Sequence, residues 1–236
     1  MTAWLGERDA RLRERMDDPA CDPEALARTY ARFGLVNAAV SAPGDLYRRW
    51  VLPRVRARRP VRVLDVGTGG ADLPRRLARA AARDGIAIEV VAIDPEPRAI
   101  AWARALDPVP GVTLREARSG DLVAAGERFD LVVSNHVLHH LAARELGALL
   151  AESERLLLPG GAAVHRDIER SRLGYLGFAL ATLPLEPTLL RGSFIRADGL
   201  ASIRRSWTAA ELAAAAPAGW RVRRAAPSRL ELVHAP

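Results

Sequence analysis

Residues Val61 to Asp72, VRVLDVGTGGAD, constrain the fold more than any other stretch of the chain. An apolar run of Val61, Val63, Leu64 and Val66, carrying one acid at Asp65, breaks at once into Gly67, Gly69 and Gly70. Near-continuous hydrophobicity marks a parallel strand covered on both faces, and parallel neighbours must be joined by long crossovers, usually helical. Glycine lacks a Cβ, so such a turn can take positive φ and let a ligand approach the main chain. The helix that follows points its free N–H groups back at the turn. A dinucleotide fingerprint would need a third glycine at position 72, where this chain has Asp72, so no pyrophosphate seat is expected.

The same alternation continues downstream. Strands are expected at Ile88–Ile93, Val112–Arg115, Phe129–Ser134 and Ala162–Asp167, with helices at Leu73–Arg83, Pro97–Ala105 and Ala143–Leu157 between them. Such a pattern implies a parallel sheet with right-handed crossovers. Upstream, helical patterns cover Ala3–Met16, Pro23–Val40 and Leu46–Arg56, the second opened by an Asp22 N-cap with Pro23 at the first helical position. Between Arg172 and Arg196 an apolar segment broken by Pro184 and Pro187 reads as an inserted helical lid. A helix at Ala209–Ala215 and strands at Trp220–Ala225 and Arg229–Val233 close the chain.

Carboxylates fall where a nucleoside would need them. Asp65 lies two residues before Gly67, and Asp94 ends the second strand, placed to accept hydrogen bonds from ribose hydroxyls. Gly120-Asp121-Leu122 offers an acid for an exocyclic amine beside an apolar side chain. The fourth strand runs into Asn135-His136-Val137-Leu138-His139-His140.

With these residues in place, the chain from Val61 to Ile168 resembles the class I S-adenosylmethionine (SAM) methyltransferases. The family's acid-x-Gly-x-Gly turn matches Asp65 to Gly69, its ribose acid Asp94, its adenine-side acid Asp121, its methyl-transfer segment Ser134 to His136, and its turn before strand five Leu158-Pro159-Gly160-Gly161. Residues 30–37, Ser41 and 47–50 look like the N-terminal cap of quinone-biosynthesis C-methyltransferases. Residues 167–171 and 198–208 are similar to bacterial polyketide-associated methyltransferases. The resemblance implies a Rossmann-like α/β fold, with a seven-stranded, mostly parallel sheet and helices on both faces. Residues 1–58 would form a helical cap and 59–236 the SAM-binding domain, with the lid at about 171–200. It places the cofactor on Asp65, Gly67, Thr68, Gly69, Asp94 and Pro95, with Gly120, Asp121 and Leu122 on the adenine side and Asn135 and His136 at the reactive end.

Because a sulfonium methyl is already electrophilic, the protein must chiefly hold a nucleophile in line with it. A phenol of pKa about 10 would be helped by a nearby imidazole. His136 is the best-placed base, with His139 and Asp167 as further catalytic candidates; each also has a purely structural reading. Tyr30, Phe33, His140, Arg170, Tyr175, Phe178 and Arg196 are candidates to contact the acceptor.

A small aromatic, phenolic or polyketide-derived acceptor is expected, at oxygen ahead of carbon. RNA or protein methylation and a non-methylating scaffold are the alternatives. The segment Ser134-Asn135-His136-Val137 lacks the Pro-Pro-aromatic pattern of exocyclic-amine methyltransferases, and no second cysteine supports pyrimidine attack. The net charge of +7 invites a nucleic-acid reading, yet all 35 basic residues are arginine, with no lysine, as GC-rich codon usage would produce. Clusters such as Arg54, Arg56, Arg58 and Arg59 read as solvated faces, and no nucleic-acid partner is expected. No metal site is expected, since the histidines lack H-E-x-x-H and the single Cys21 has no pair. Cys21 alone also rules out a disulfide framework. No apolar run approaches the roughly 20 residues that span a bilayer, and the N-terminus lacks a secretory apolar core; a cytoplasmic location follows as the expectation.

Overall fold

The computed structural model describes residues 5–56 and 59–235, with residues 38–40 described by backbone alone; Ala3 and Arg58 lie outside it. A cap precedes the sheet. Helix α1 (Pro23–Val40) starts as expected, Asp22 accepting from the Glu24 N–H at 2.9 Å with Pro23 at the first position. After it, α2 (Pro43–Leu46) runs into a π-helical turn at Tyr47–Val51 and a 3-10 turn at Leu52–Arg54. The single helix expected over Leu46–Arg56 is thus broken; Pro53 supplies no N–H to continue it.

The helix expected over Ala3–Met16 is absent between Leu5 and Glu14, and only Arg15–Asp17 makes a 3-10 turn. Tertiary bonds replace the local ladder. Asp9 N–H donates to Arg204 O at 3.1 Å, the Arg8 guanidinium donates to His139 O and Leu141 O at 2.8 Å each, and Asp198 accepts from the N–H groups of Arg15 and Met16. The segment is therefore a strap laid across the carboxyl edge of the sheet, where long-range partners outweigh a weak helical preference.

The remaining elements alternate as the sequence implies: β1 (Val61–Val66), α3 (Asp72–Arg83), β2 (Ile88–Asp94), α4 (Pro97–Ala105), β3 (Val112–Glu116), α5 (Ser119–Ala124), β4 (Phe129–Asn135) and α6 (Ala143–Arg155). Strand β5 (Leu157–Ile168) is twice its expected length. Leu158 to Gly161, expected as a turn, are its first residues, and pairing with β4 shifts register between Phe129 and Leu131. Then come α7 (Arg172–Thr182), α8 (Ile195–Arg205), α9 (Ala209–Ala215), β6 (Arg221–Ala225) and β7 (Arg229–His234). Helix α8 was not expected as such; it lies within and beyond the segment read as a lid.

The strands form one mixed sheet in the order β3-β2-β1-β4-β5-β7-β6, with β7 antiparallel to both neighbours and the rest parallel. Side chains alternate across β1. Leu64 and Val66 pack with Leu122, Leu146, Leu150 and Trp207 on one face, while Val61 and Val63 pack with Leu46, Trp50, Leu73 and Leu77 on the other. Each fully buried leucine stabilises the sandwich by about 1.5–3 kcal/mol. Strand order reverses between β1 and β4, and in open α/β sheets ligands sit at that switch point, beyond the carboxyl ends of the strands. No described helix is long and apolar enough to cross a membrane.

Candidate cofactor and acceptor site

A cavity of about 470 Å³ opens at this switch point, walled by the β1, β2 and β4 tips, α1, the strap and α8. The turn after β1 is shaped by backbone geometry. Gly67 has φ +71°, and a Cβ there would lie 2.5 Å from Val137 Cγ2; Gly69 has φ +54°, with nothing within 4 Å of where its Cβ would be. One glycine is thus demanded by packing as well as by φ, and the other leaves open space over the main chain.

Asp65 is wholly buried at the end of β1. Burial pushes its carboxyl up to about 7, and its Oδ2 has no hydrogen-bond partner among the described residues. Asn135 Oδ1 likewise has no hydrogen-bond partner among the described residues, and the Thr68 hydroxyl beside Asp65 eases the carboxylate's burial only in part. Buried polar groups on a cavity wall can be satisfied by a ligand, each unsatisfied one costing about 1–3 kcal/mol. Asp94 is nearly buried, and burial raises its carboxyl even though its two oxygens accept from Gly69 N–H at 2.8 Å and Glu96 N–H at 2.9 Å. Each carboxylate oxygen keeps a second lone pair.

Glu14, Asp17, Asp65, Asp72, Asp94, Glu96 and Asp198 line the cavity and, among the described residues, no arginine does. Glu14 and Asp17 are paired with His139, His140 and Arg205, and Glu96 with Arg98, which leaves Asp65, Asp72, Asp94 and Asp198 without an ion pair among those residues.

His136 sits just past β4 in the left-handed region, φ +59°, its N–H donating to Arg166 O at 2.9 Å. A non-glycine residue held there is strained by about 1–3 kcal/mol, and such strain clusters at working sites. The turn aims the imidazole at the cap. Ser41 Oγ lies 2.9 Å from His136 Nε2 and accepts from Asn135 Nδ2 at 2.8 Å; His136 Nδ1 faces Asp167 Oδ1 at 3.8 Å.

His139 corrects an expectation. Its Nδ1 bonds Asp167 Oδ1 at 2.8 Å and its Nε2 bonds Glu14 Oε1 at 3.1 Å, both partners buried. Burial alone would strip its proton, but Asp167 and Glu14 outweigh that and push its pKa up to about 10. Glu14 is correspondingly held down to about 2 against its own burial, and Asp167 lies well below the carboxylate range. His139 is an imidazolium with both nitrogens engaged, so it cannot act as a base. Asp167 contacts both histidines from beneath and is not part of the cavity lining.

The other residues expected at the site divide by position. Pro95, Thr68, Tyr30, Phe33, His140 and Phe178 line the cavity. Gly120, Asp121 and Leu122 do not: Asp121 is exposed and accepts from Arg118 N–H to close the first turn of α5, and Leu122 is a core residue. Arg170 is buried against Glu211 and Ser206 O, Arg196 is paired with Glu186 at 3.0 Å and bonds Thr182, and Tyr175 lies outside the lining. Arg196 ties α8 to α7, and Arg170 ties the end of β5 to α9, instead of lining the cavity. Glu14, Ser41 and Asp198 were missed because each depends on a contact more than 90 residues away in sequence. Glu14 with His139 and His140 also places ligand-type atoms within 4.8 Å of one another, but Ser202 and the His139 proton already satisfy Glu14.

Two measurable consequences arise here. Glu14→Gln removes one charged hydrogen bond from the buried chain, and is expected to destabilise the protein by about 2 kcal/mol; a thermal melt should show a Tm lower by about 4–8 °C. Asp65 sets a pH dependence. With its free carboxyl at about 7 and an ammonium partner lowering it on binding, binding of a cationic amine must release a proton below that pH. Affinity for S-adenosylhomocysteine (SAH), by calorimetry, is therefore expected to be full above pH 7 and to fall by up to about tenfold per unit below it.

Strand order, switch-point cleft, glycine turn and strand-tip acids together give this chain a Rossmann-like fold of the kind methyltransferases share. Residues 63–161 match the family model described as a methyltransferase domain. The chain is 38% identical over 113 residues to the ubiquinone biosynthesis O-methyltransferase of Cereibacter sphaeroides, covering 47% of this chain and 42% of that protein. The corresponding enzyme of Azorhizobium caulinodans is 31% identical over 137 residues, covering 57% and 50%. The chain thus spans about half the length of the curated relatives it matches. Among solved structures, an O-methyltransferase family protein from Burkholderia thailandensis superposes with a TM-score of 0.60 at 17% identity, over 94% of this chain and 61% of that one. The plantazolicin methyltransferase BpumL in complex with SAH gives 0.54 at 12%, over 89% and 94%.

Proposed function

We propose that this protein binds SAM in the acidic cavity and methylates a hydroxyl of a small aromatic or polyketide-derived metabolite. The observation that carries the reading is the cavity's seven carboxylates around orphaned acceptors, in a basic protein. Asp65 would take the ammonium of the methionine moiety and Asp94 the ribose hydroxyls. Gly69 would leave room for the chain between them. When bound, SAM supplies an electrophilic methyl on a sulfonium.

The protein's own work is to orient the acceptor, exclude water and move one proton. Phe33, Phe178 and Ile195 give the apolar walls. His136 Nε2 receives the acceptor's proton once Ser41 yields its place, and Asp167, behind Nδ1, steadies the charged ring. Asp72, Asn37 and the strap close the remaining sides. One observation favours a second reading, methylation at ring carbon: Ser41 Oγ already engages His136 Nε2 at 2.9 Å, as would suit a reaction in which no hydroxyl proton is taken by this histidine. Incubation of the protein with methyl-labelled SAM and a metabolite extract, read by mass spectrometry and fragment position, tests the proposal. A labelled methyl ether supports it, a labelled C-methyl product supports the second reading, and no label in any small molecule refutes both.

A further inference from the structure

Beside the acidic cavity lies a second, larger concavity of about 850 Å³, between α1, α2 and one face of α3. The two share Tyr30, Gly70 and Asp72 as a common wall. Their charges are opposite. Helix α3 sends Arg76, Arg79 and Arg83 along the groove at helical spacing of three and four residues, which puts them on one face. Arg75 and Arg76 are bonded to backbone carbonyls of Ala103, Asp107 and Gly34, while Arg79 and Arg83 have no hydrogen bond or ion pair among the described residues. No arginine of α3 pairs with a carboxylate within 4 Å among those residues, and the groove holds four arginines against two carboxylates, Asp72 and Asp107. The opposite wall is aromatic: Trp102 stacks on Tyr30 with ring centroids 6.0 Å apart.

We infer that this groove binds a phosphoryl group, mono- or diphosphate, carried by the methyl acceptor. Two guanidinium groups one helical turn apart, unpaired and on a concave wall, match the fork geometry with which arginine takes phosphate oxygens. The arrangement also separates charges: an anionic tail is repelled by the carboxylates of the reaction cavity and drawn to the neighbouring groove, so the reacting end alone enters. From Asp72 on the shared wall to Arg83, α3 rises about 16 Å, enough for a linker between the reacting group and the phosphate. That the ligand is the acceptor rests on the function proposed above; the anion site itself does not.

Calorimetry with inorganic pyrophosphate tests the site without any methyl transfer. Binding at low salt is expected, weakened at least tenfold in Arg79→Gln/Arg83→Gln and retained within about threefold in Arg79→Lys/Arg83→Lys, with SAH affinity unchanged in both. No pyrophosphate binding, or equal binding by the glutamine variant, overturns the inference. Loss of SAH affinity in that variant would assign the arginines to the cofactor carboxylate and overturn it too. Competition by 4′-phosphopantetheine or by a nucleoside diphosphate then separates a carrier-linked from a nucleotide-linked acceptor; displacement by neither refutes the link to an acceptor. Intact SAH binding beside absent pyrophosphate binding leaves the methyltransferase reading standing.

Discussion

Asp65→Ala is expected to weaken SAH binding by about 100-fold, measured by calorimetry at pH 8, while leaving the free protein as stable as before or slightly more stable. The two outcomes have one cause. In the free protein Asp65 is a buried carboxyl raised to about 7 by burial, against which only the neighbouring Thr68 hydroxyl acts, so its removal relieves a desolvation cost and gives up one weak contact. In the complex it would make a charge-assisted hydrogen bond in a site shielded from water, the kind worth about 1.5–3 kcal/mol, and 100-fold corresponds to about 2.7 kcal/mol. A residue buried merely to fill the core would show the reverse pattern, a lower Tm with cofactor affinity intact. That result would remove Asp65 from the site and with it the principal anchor of the proposed cofactor.

His136→Asn is expected to lower kcat by about 10²–10⁴-fold, the range in which a positioned acid or base contributes, with SAH affinity within threefold of the parent. Asparagine is the informative substitution because it tolerates the left-handed backbone at this position, so strain is not confounded with lost basicity. Asp167→Asn acts differently. It disturbs His139 as well, a buried imidazolium held at both nitrogens, and should lower Tm along with kcat. A rate unchanged in His136→Asn would dismiss the histidine as base and move the proposal to the carbon acceptor that the Ser41 contact already suits.

The partition between His136, His139 and His140 shows how far residue type alone reaches. All three lie in one seven-residue segment after β4, and nothing in their spacing says which faces a ligand. His136 was ranked first from its position at the strand tip, and the structure places it on the cavity with one ring nitrogen toward Asp167. His139, one turn later, is captured by Glu14 from the strap, a residue whose approach depends on the whole sheet edge being assembled. Arg170 is a candidate from its place just past strand five and Arg196 from the segment read as a lid, and the structure pairs them with Glu211 and Glu186. Asp121 was placed by analogy with a family position, and here its carboxylate closes a helix turn instead.

Sequence by itself determined the parallel sheet, the glycine turn and the two strand-tip acids, because each follows from local chemistry: apolar runs bury, glycine permits positive φ, and a strand's end sets where the next side chain emerges. Tertiary structure alone decided the strap in place of a first helix, the acidic lining of one cavity and the arginine wall of the next, and which histidine is free. Those depend on side chains brought together from distant parts of the chain, where burial and charge pairing, summed over the assembled neighbourhood, override local preference.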